Sequence, residues 1–184
     1  MQEIYRIARF EKVSFKQFFE DYITISKEAL EKGQVSLPTL NAGELMTIWE
    51  NIRIPTRATK DSAGYDFKSP ISFDLSTRST IKIPTGIRCQ IHQGWFLQIA
   101  PRSGVGTKYR LQLDNTLGII DGDYYNANNE GHIMLQVTND GHTNKNLSVQ
   151  QGQGLAQGAF LLYGITFDDE VQTMRTGGFG STGK

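Results

Sequence analysis

Several short segments of this chain combine carboxylates, cations, hydroxyls and glycines in a way that suits phosphate chemistry. In Leu117-Gly118-Ile119-Ile120-Asp121-Gly122-Asp123-Tyr124, two carboxylates and an aromatic ring stand on a tight turn after an apolar stretch. A carboxylate so placed can orient a water, hold a metal through water or accept a sugar hydroxyl. An Asp-Gly hairpin turn would carry the same pattern with no chemistry. Ala100-Pro101-Arg102-Ser103-Gly104-Val105-Gly106 offers a cation, a hydroxyl and glycine N–H groups to phosphate oxygens, though an ordinary turn reads the same way. Ser62-Ala63-Gly64-Tyr65-Asp66-Phe67 sets Asp66 beside a glycine at a strand entry or bulge.

The run Arg175-Thr176-Gly177-Gly178-Phe179-Gly180-Ser181-Thr182-Gly183-Lys184 has the composition of an arm that wraps a phosphate and stacks on a flat ring. Gly178 to Lys184 also spells G-x-x-x-x-G-K. A P-loop needs a Ser or Thr after the Lys and a helix beyond it, so that reading is set aside.

The elements that must position these groups are mostly strands. Thr80 to Ile87 alternates and then turns, and Trp95, Leu97 and Ile99 share one face after Gly94. Ile133, Leu135 and Val137 repeat that pattern before the turn-rich Asn139-Asp140-Gly141. Short strands between Gly, Pro and Asn signals predict a sandwich or barrel. The first fifty residues read differently. Ser14 with Gln17 forms a capping box, and Phe15, Phe18, Phe19, Tyr22, Ile23, Ala29 and Leu30 recur on one helical face up to a stop at Gly33. A second box, Asn41 with Glu44, opens a short helix through Leu45, Ile48 and Trp49. An apolar stripe of this kind is core or subunit contact before it is a ligand site.

Composition narrows the classes. With 38% hydrophobic and 21% charged residues the 184-residue chain fits a single globular domain, 1–184. Lys+Arg 19 against Asp+Glu 19 is no footprint of a non-specific nucleic-acid binder, so phosphate chemistry must be concentrated locally. The single Cys89 excludes an intramolecular disulfide and suits a small core residue. No apolar run approaches a membrane span and no signal peptide is evident, so a cytoplasmic protein without membrane contact is expected. His92, His132 and His142 share no ligand spacing.

In this order the segments resemble the trimeric class of dUTP diphosphatases (dUTPases). The five motifs of that family have counterparts in Ala63-Gly64-Tyr65-Asp66, Pro101-Arg102-Ser103-Gly104, Gly118 to Tyr124, Gly154-Leu155-Ala156-Gln157 and Gly177 to Gly183. The resemblance covers residues 52–184, with Arg6 to Phe10 as the family's first strand. It implies a mainly β fold, a dUTPase-like jelly roll, with a helical insertion at 14–46 and a mobile arm at 175–184. It also implies a homotrimer with active sites between subunits, which cleaves dUTP to dUMP and pyrophosphate with Mg2+ on the triphosphate.

Carried over by resemblance, Asp121 is the base that orients and deprotonates the attacking water. Tyr124 lies against the deoxyribose, and Asn115 with Gly118 and the main chain of their hairpin reads uracil. Arg102, Ser103 and Gly104 hold the α- and β-phosphates. Asp66 and Gln157 reach the water shell of the metal. From the arm, Phe179 stacks on uracil beside Gly180, while Arg175, Ser181 and Thr182 grip the γ-phosphate.

The chain also departs from the family pattern. Arg175 stands one residue closer to Phe179, Gly154 replaces a frequent Arg, and Tyr125 to Gly131 is a longer link than usual. The partner of the helical insertion, if it has one, is unknown. Two alternatives remain open: a non-catalytic dUTP-binding regulator that acts through a protein partner, and a dCTP deaminase. The first has no need of Asp121, and the second needs a Glu at the pyrimidine that the sequence does not present.

Overall fold

A computed structural model describes residues 5–173. Arg175, Phe179, Gly180, Ser181 and Thr182, and with them the expected arm, lie outside the described residues. The chain opens with β1 (Ala8–Lys12), followed by α1 (Phe15–Glu31) and α2 (Ala42–Asn51). Strands β2 (Thr56–Arg57), β3 (Tyr65–Lys68), β4 (Phe73–Leu75), β5 (Thr80–Pro84), β6 (Ile87–Ile91) and β7 (Trp95–Pro101) come next. A short helix α3 (Ser103–Tyr109), strands β8 (Leu111–Leu113) and β9 (Gly118–Ile120), and a 3-10 turn (Gly122–Asn126) lead to β10 (Met134–Asn139), β11 (Leu147–Val149) and β12 (Gly154–Leu162).

The strand pairs are antiparallel and build a mainly β fold, as expected. The largest sheet has the order β2-β3-β12-β7-β9, a second has β5-β10-β8, and β1-β6 and β11-β4 form two-stranded ribbons. Alternation decides which side faces inward. Leu97 and Ile99 of β7, Ile81 and Ile83 of β5, and Leu135 and Val137 of β10 are all nearly solvent-free. They belong to one contiguous core that also takes in residues of both N-terminal helices.

Helix α1 forms where its apolar stripe can be buried. Phe18, Tyr22, Ile25 and Ala29 follow the 3.6-residue period and are buried, and α1 packs on β5 and α2. Burying such side chains is worth roughly 1.5–3 kcal/mol for each large one. Two expectations are corrected. Leu30 faces solvent, because it falls about 120° from the Phe18–Ala29 line, and Ile25 takes its place in the stripe. The Ser14 cap is also shared differently. Ser14 Oγ accepts the Gln17 N–H at 3.1 Å, but the Ser14 N–H donates to Glu130, 116 residues away, and the Gln17 side chain turns to Asp21. The second capping box, Asn41 with Glu44, is complete, and α2 runs on to Asn51.

Two elements differ from the turns read in the sequence. Residues 103–109 form α3 despite two glycines, and the Asp-Gly pair at 121–122 opens a 3-10 turn rather than a hairpin. Gly86 makes the turn from β5 to β6 with φ +72°, packed so closely under Ile52 that a Cβ has no space.

Cys89 on β6 is 1% exposed, and burial, with a smaller contribution from the Glu11 charge, pushes its thiol up to about 12. A thiolate is the reactive form. Native protein is therefore expected to resist alkylation by iodoacetamide at pH 8, and denatured protein to take up one equivalent, as read by intact mass. Rapid native labelling would contradict the burial.

Candidate active site

One group of expected site residues is assembled by the register of the largest sheet. Asp66 on β3 pairs with Gln157 on β12, and Gln157 pairs with Ala100 on β7, so the three share a row and a face. Arg102 follows β7 directly, and its N–H donates to the Leu155 carbonyl at 3.1 Å, where the β3–β12 register shifts between Gly154 and Ala156. Its side chain then passes over β12 to reach Asp66, with Nε 3.1 Å from Oδ1.

That crossing runs close over a residue without a side chain. A Cβ on Gly154 would stand 2.9 Å from Arg102 Cδ and 3.1 Å from Cζ. The Gly154 departure and the Arg102 position thus form one arrangement. Arg102 is 44% exposed, so its pair with Asp66 adds little stability and mainly holds direction. Ser103 and Gly104 open α3, ahead of Val105 and Gly106, whose N–H groups already bond the Arg102 carbonyl. On the other flank, a Cβ on Gly64 would lie 3.0 Å from Gln157 Oε1.

A second group sits around the β8–β9 hairpin. Thr116, with φ 66°, makes the turn, the Thr116 N–H donates to Leu113 O at 2.8 Å, and the Leu117 N–H donates to Asn115 O at 2.7 Å. Because β8 pairs with β10 while β9 pairs with β7, the hairpin is split between two sheets. The split leaves a recess of about 430 Å³ lined by Asn115, Gly118, Ile99, Ile120, Met134 and Lys82. That size is within the range of small-ligand pockets.

Asp121 is exposed and stands at the N-cap of the 3-10 turn, in a separate hollow of about 770 Å³ with Trp95, Ile119 and Asp123. Tyr124 lines neither hollow. It is 2% exposed, and its hydroxyl donates to the His132 carbonyl at 2.7 Å while accepting from Asn129 Nδ2 at 2.9 Å. Within this chain it supports the turn that bears Asp121.

The two groups do not meet within one chain. The Leu97–Ile120 pairing sets Asp121 opposite Phe96, four residues along β7 from the Ala100 row, and Asp66 lies two strands beyond β7. At about 3.3 Å per residue and 4.8 Å per strand, Asp121 and Asp66 are roughly 20 Å apart.

The 3-10 turn is fixed from outside as well. Tyr125 OH donates to Glu11 Oε2 at 2.6 Å, Arg88 donates to both Glu11 and Tyr125, and the Arg88 guanidinium lies 4.0 Å from the Tyr125 ring centroid. The Tyr125 hydrogen bond, with help from Arg88 and against burial, holds the Glu11 carboxyl below its usual range. His132, one of three histidines with no motif to mark it, is the residue that the sequence left unassigned. It is wholly buried, bonded to Asp21 of α1 and to the Gly86 N–H. Its only signal was its place between Gly131 and Ile133, in a stretch of buried character. Among the described residues no group of three or more His, Cys, Asp or Glu could hold a metal.

A protein-family model described as dUTPase matches residues 50–183. The deoxyuridine 5'-triphosphate nucleotidohydrolase of Lactococcus lactis is 38% identical over 145 residues, which cover 76% of this chain and 95% of that protein. The protein of the same name from Tolumonas auensis is 33% identical over 159 residues, covering 82% and 98%. The crystal structure of the dUTPase from Streptococcus mutans superposes with a TM-score of 0.56 at 36% identity, covering 64% of this chain and 90% of that one. The chain belongs to the dUTPase family, the dUTP diphosphatases.

Because the folded pKa of Glu11 is lowered, its contribution to stability is full above the unfolded value and is lost as pH falls through the folded one. Glu11→Gln is expected to melt below the parent at pH 7, and the gap to close as pH drops below about 4. A gap that widens in acid would refute the assignment.

Proposed function

We propose that this protein hydrolyses dUTP to dUMP and pyrophosphate, with Asp121 as the base that orients and deprotonates the water attacking the α-phosphorus. The observation that carries the reading is the Asp121 carboxylate itself: exposed, at the head of a 3-10 turn whose two tyrosines are both anchored. A carboxylate on a turn whose backbone is anchored in this way can keep a water in line and accept its proton. The recess at Asn115 and Gly118 receives the uracil. A Cβ on Gly118 would lie 3.2 Å from Ile99 Cβ, so the glycine lets β9 pack closely on β7 at the wall of this recess.

Arg102, Ser103 and Gly104 take the phosphates, and Arg175, Phe179, Gly180, Ser181 and Thr182 close over the nucleotide. Asp66 and Gln157 fit Mg2+, because both present oxygen donors side by side, and among the described residues no cluster of three or more His, Cys, Asp or Glu competes for the ion. They would reach its water shell, with the triphosphate holding the ion directly. When bound, Mg2+ supplies charge neutralisation on the phosphates.

The separation between Asp121 and the Arg102 row supports a homotrimer in which one chain brings the nucleoside side, a neighbour the phosphate side and a third the arm. Exposed Leu162 at the end of β12, with Ile165, Phe167 and Val171 beyond it, offers apolar surface for such contact. No helix among the described residues is long and apolar enough to cross a membrane. A purely regulatory dUTP-binding role gains no observation of its own.

With Mg2+ present, purified protein is expected to release pyrophosphate from dUTP far faster than from dTTP, dCTP or UTP. Intact dUTP after incubation would end the proposal. Asp121→Asn should still bind nucleotide but lose about 100-fold or more in kcat, the usual contribution of a positioned base. Arg102→Ala removes one charge-assisted contact of about 1.5–3 kcal/mol and should raise KM for dUTP by about tenfold or more. An unchanged KM would remove Arg102 from the phosphate site.

A further inference from the structure

We infer that helix α1 is a positioning element of the active site, acting on Asp121 through the pair of half-buried Asp21 with buried His132 and through Glu130. The inference rests on the reading of Asp121 as the catalytic base. The Gly86 N–H donates to His132 Nε2 at 2.7 Å, so Nε2 carries the lone pair and Nδ1 the proton. Nδ1 then donates to Asp21 Oδ2 at 2.6 Å, and Gln17 Nε2 donates to that same oxygen at 3.0 Å. A neutral histidine is thereby locked in one tautomer and one orientation by a carboxylate on α1.

The His132 main chain carries the constraint onward. Its carbonyl accepts the Tyr124 hydroxyl at 2.7 Å, and Asn129 Nδ2 braces that hydroxyl at 2.9 Å. Tyr124 is the third residue of the 3-10 turn, and its N–H donates to the Asp121 carbonyl at 3.2 Å.

The second link joins the same loop to the start of the helix. Glu130 accepts the Ser14 N–H through Oε2 and the Ser14 hydroxyl through Oε1, both at 2.7 Å. Glu130 (φ 57°) and Gly131 (φ 70°) are consecutive left-handed residues. For a glutamate that conformation persists only where its surroundings over-determine it. A Cβ on Gly131 would stand 2.6 Å from the Tyr124 carbonyl oxygen and 2.7 Å from Tyr125 Cα, so the loop is pressed onto the backbone of the turn. The lengthened link 125–131 and α1 are therefore two halves of one device. Helix α1 lies wholly before the segment that the family model matches, so this support is added to the shared frame rather than part of it.

The test compares Asp21→Ala, Asp21→Asn, Glu130→Gln and Asp121→Asn with the parent as full-length protein. For each, kcat and KM on dUTP are measured well below the melting temperature, with assembly mass and melting temperature alongside. Small misplacements of a reacting group cost up to about 100-fold. Asp21→Ala is therefore expected to lower kcat by about tenfold or more with KM within about threefold, since the phosphate contacts are untouched. Asp21→Asn keeps an acceptor for Nδ1–H and should recover kcat to within about threefold of the parent. Glu130→Gln, at the partly exposed cap, should fold even if Asp21→Ala does not, and should show a smaller loss in kcat in the same direction. Folded variants that lose only melting temperature, with kcat unchanged, would overturn the inference and leave α1 as packing. Full turnover in Asp121→Asn would instead overturn the catalytic reading beneath it.

Discussion

The antiparallel pairing of β7 with β12, continuous from Pro101 opposite Ala156 to Trp95 opposite Leu162, holds the residues around Arg102 and Gln157 in place. One side of β12 is joined to β3, which brings Asp66 beside Gln157, and the far side of β7 is joined to β9, which carries Gly118. The register shift at Gly154 is the feature that gives this frame chemical use. It clears the path by which Arg102 passes from the end of β7 to the carboxylate two strands away. Hydrogen-bonded register is unforgiving, since a slip of one residue would turn Asp66 and Gln157 into the core.

The same frame keeps the two groups of candidate residues apart within one chain. Strand spacing and rise are fixed, so residues at opposite corners of a five-stranded sheet cannot converge on one phosphorus atom. In the proposed trimer, convergence comes from other copies of the sheet. Apolar side chains left exposed beyond β12 fit that requirement, because a monomer gains nothing from presenting them to water.

The turn bearing Asp121 depends on a different kind of constraint. It is not part of a sheet, so side chains must hold it. Tyr125 is fastened to Glu11 and Arg88 on the β1–β6 ribbon, and Tyr124 to His132 in the interior. His132 in turn rests on the N-terminal helix. A short 3-10 turn has few bonds of its own, and three outside anchors replace the rigidity that a strand would have supplied.

Much of this was legible in the sequence, for identifiable reasons. Alternation marked β5, β7 and β10 and their buried faces, capping residues marked the starts of α1 and α2, and the order of five short motifs marked the family. These are local signals, carried by neighbours along the chain. The helix at Ser103 was hidden by its glycines, and the 3-10 turn by an Asp-Gly pair that more often makes a hairpin. The half of the Ser14 cap supplied by Glu130, the open path over Gly154 and the role of His132 left no local trace. Each is a contact between residues far apart in sequence, and such contacts exist only once strands have chosen partners. By itself the sequence determined most of the element types and, through its motifs, the family to which the chain belongs. Only the tertiary structure decided which side chains stand close enough to act together, because proximity is set by sheet register and core packing rather than by spacing along the chain.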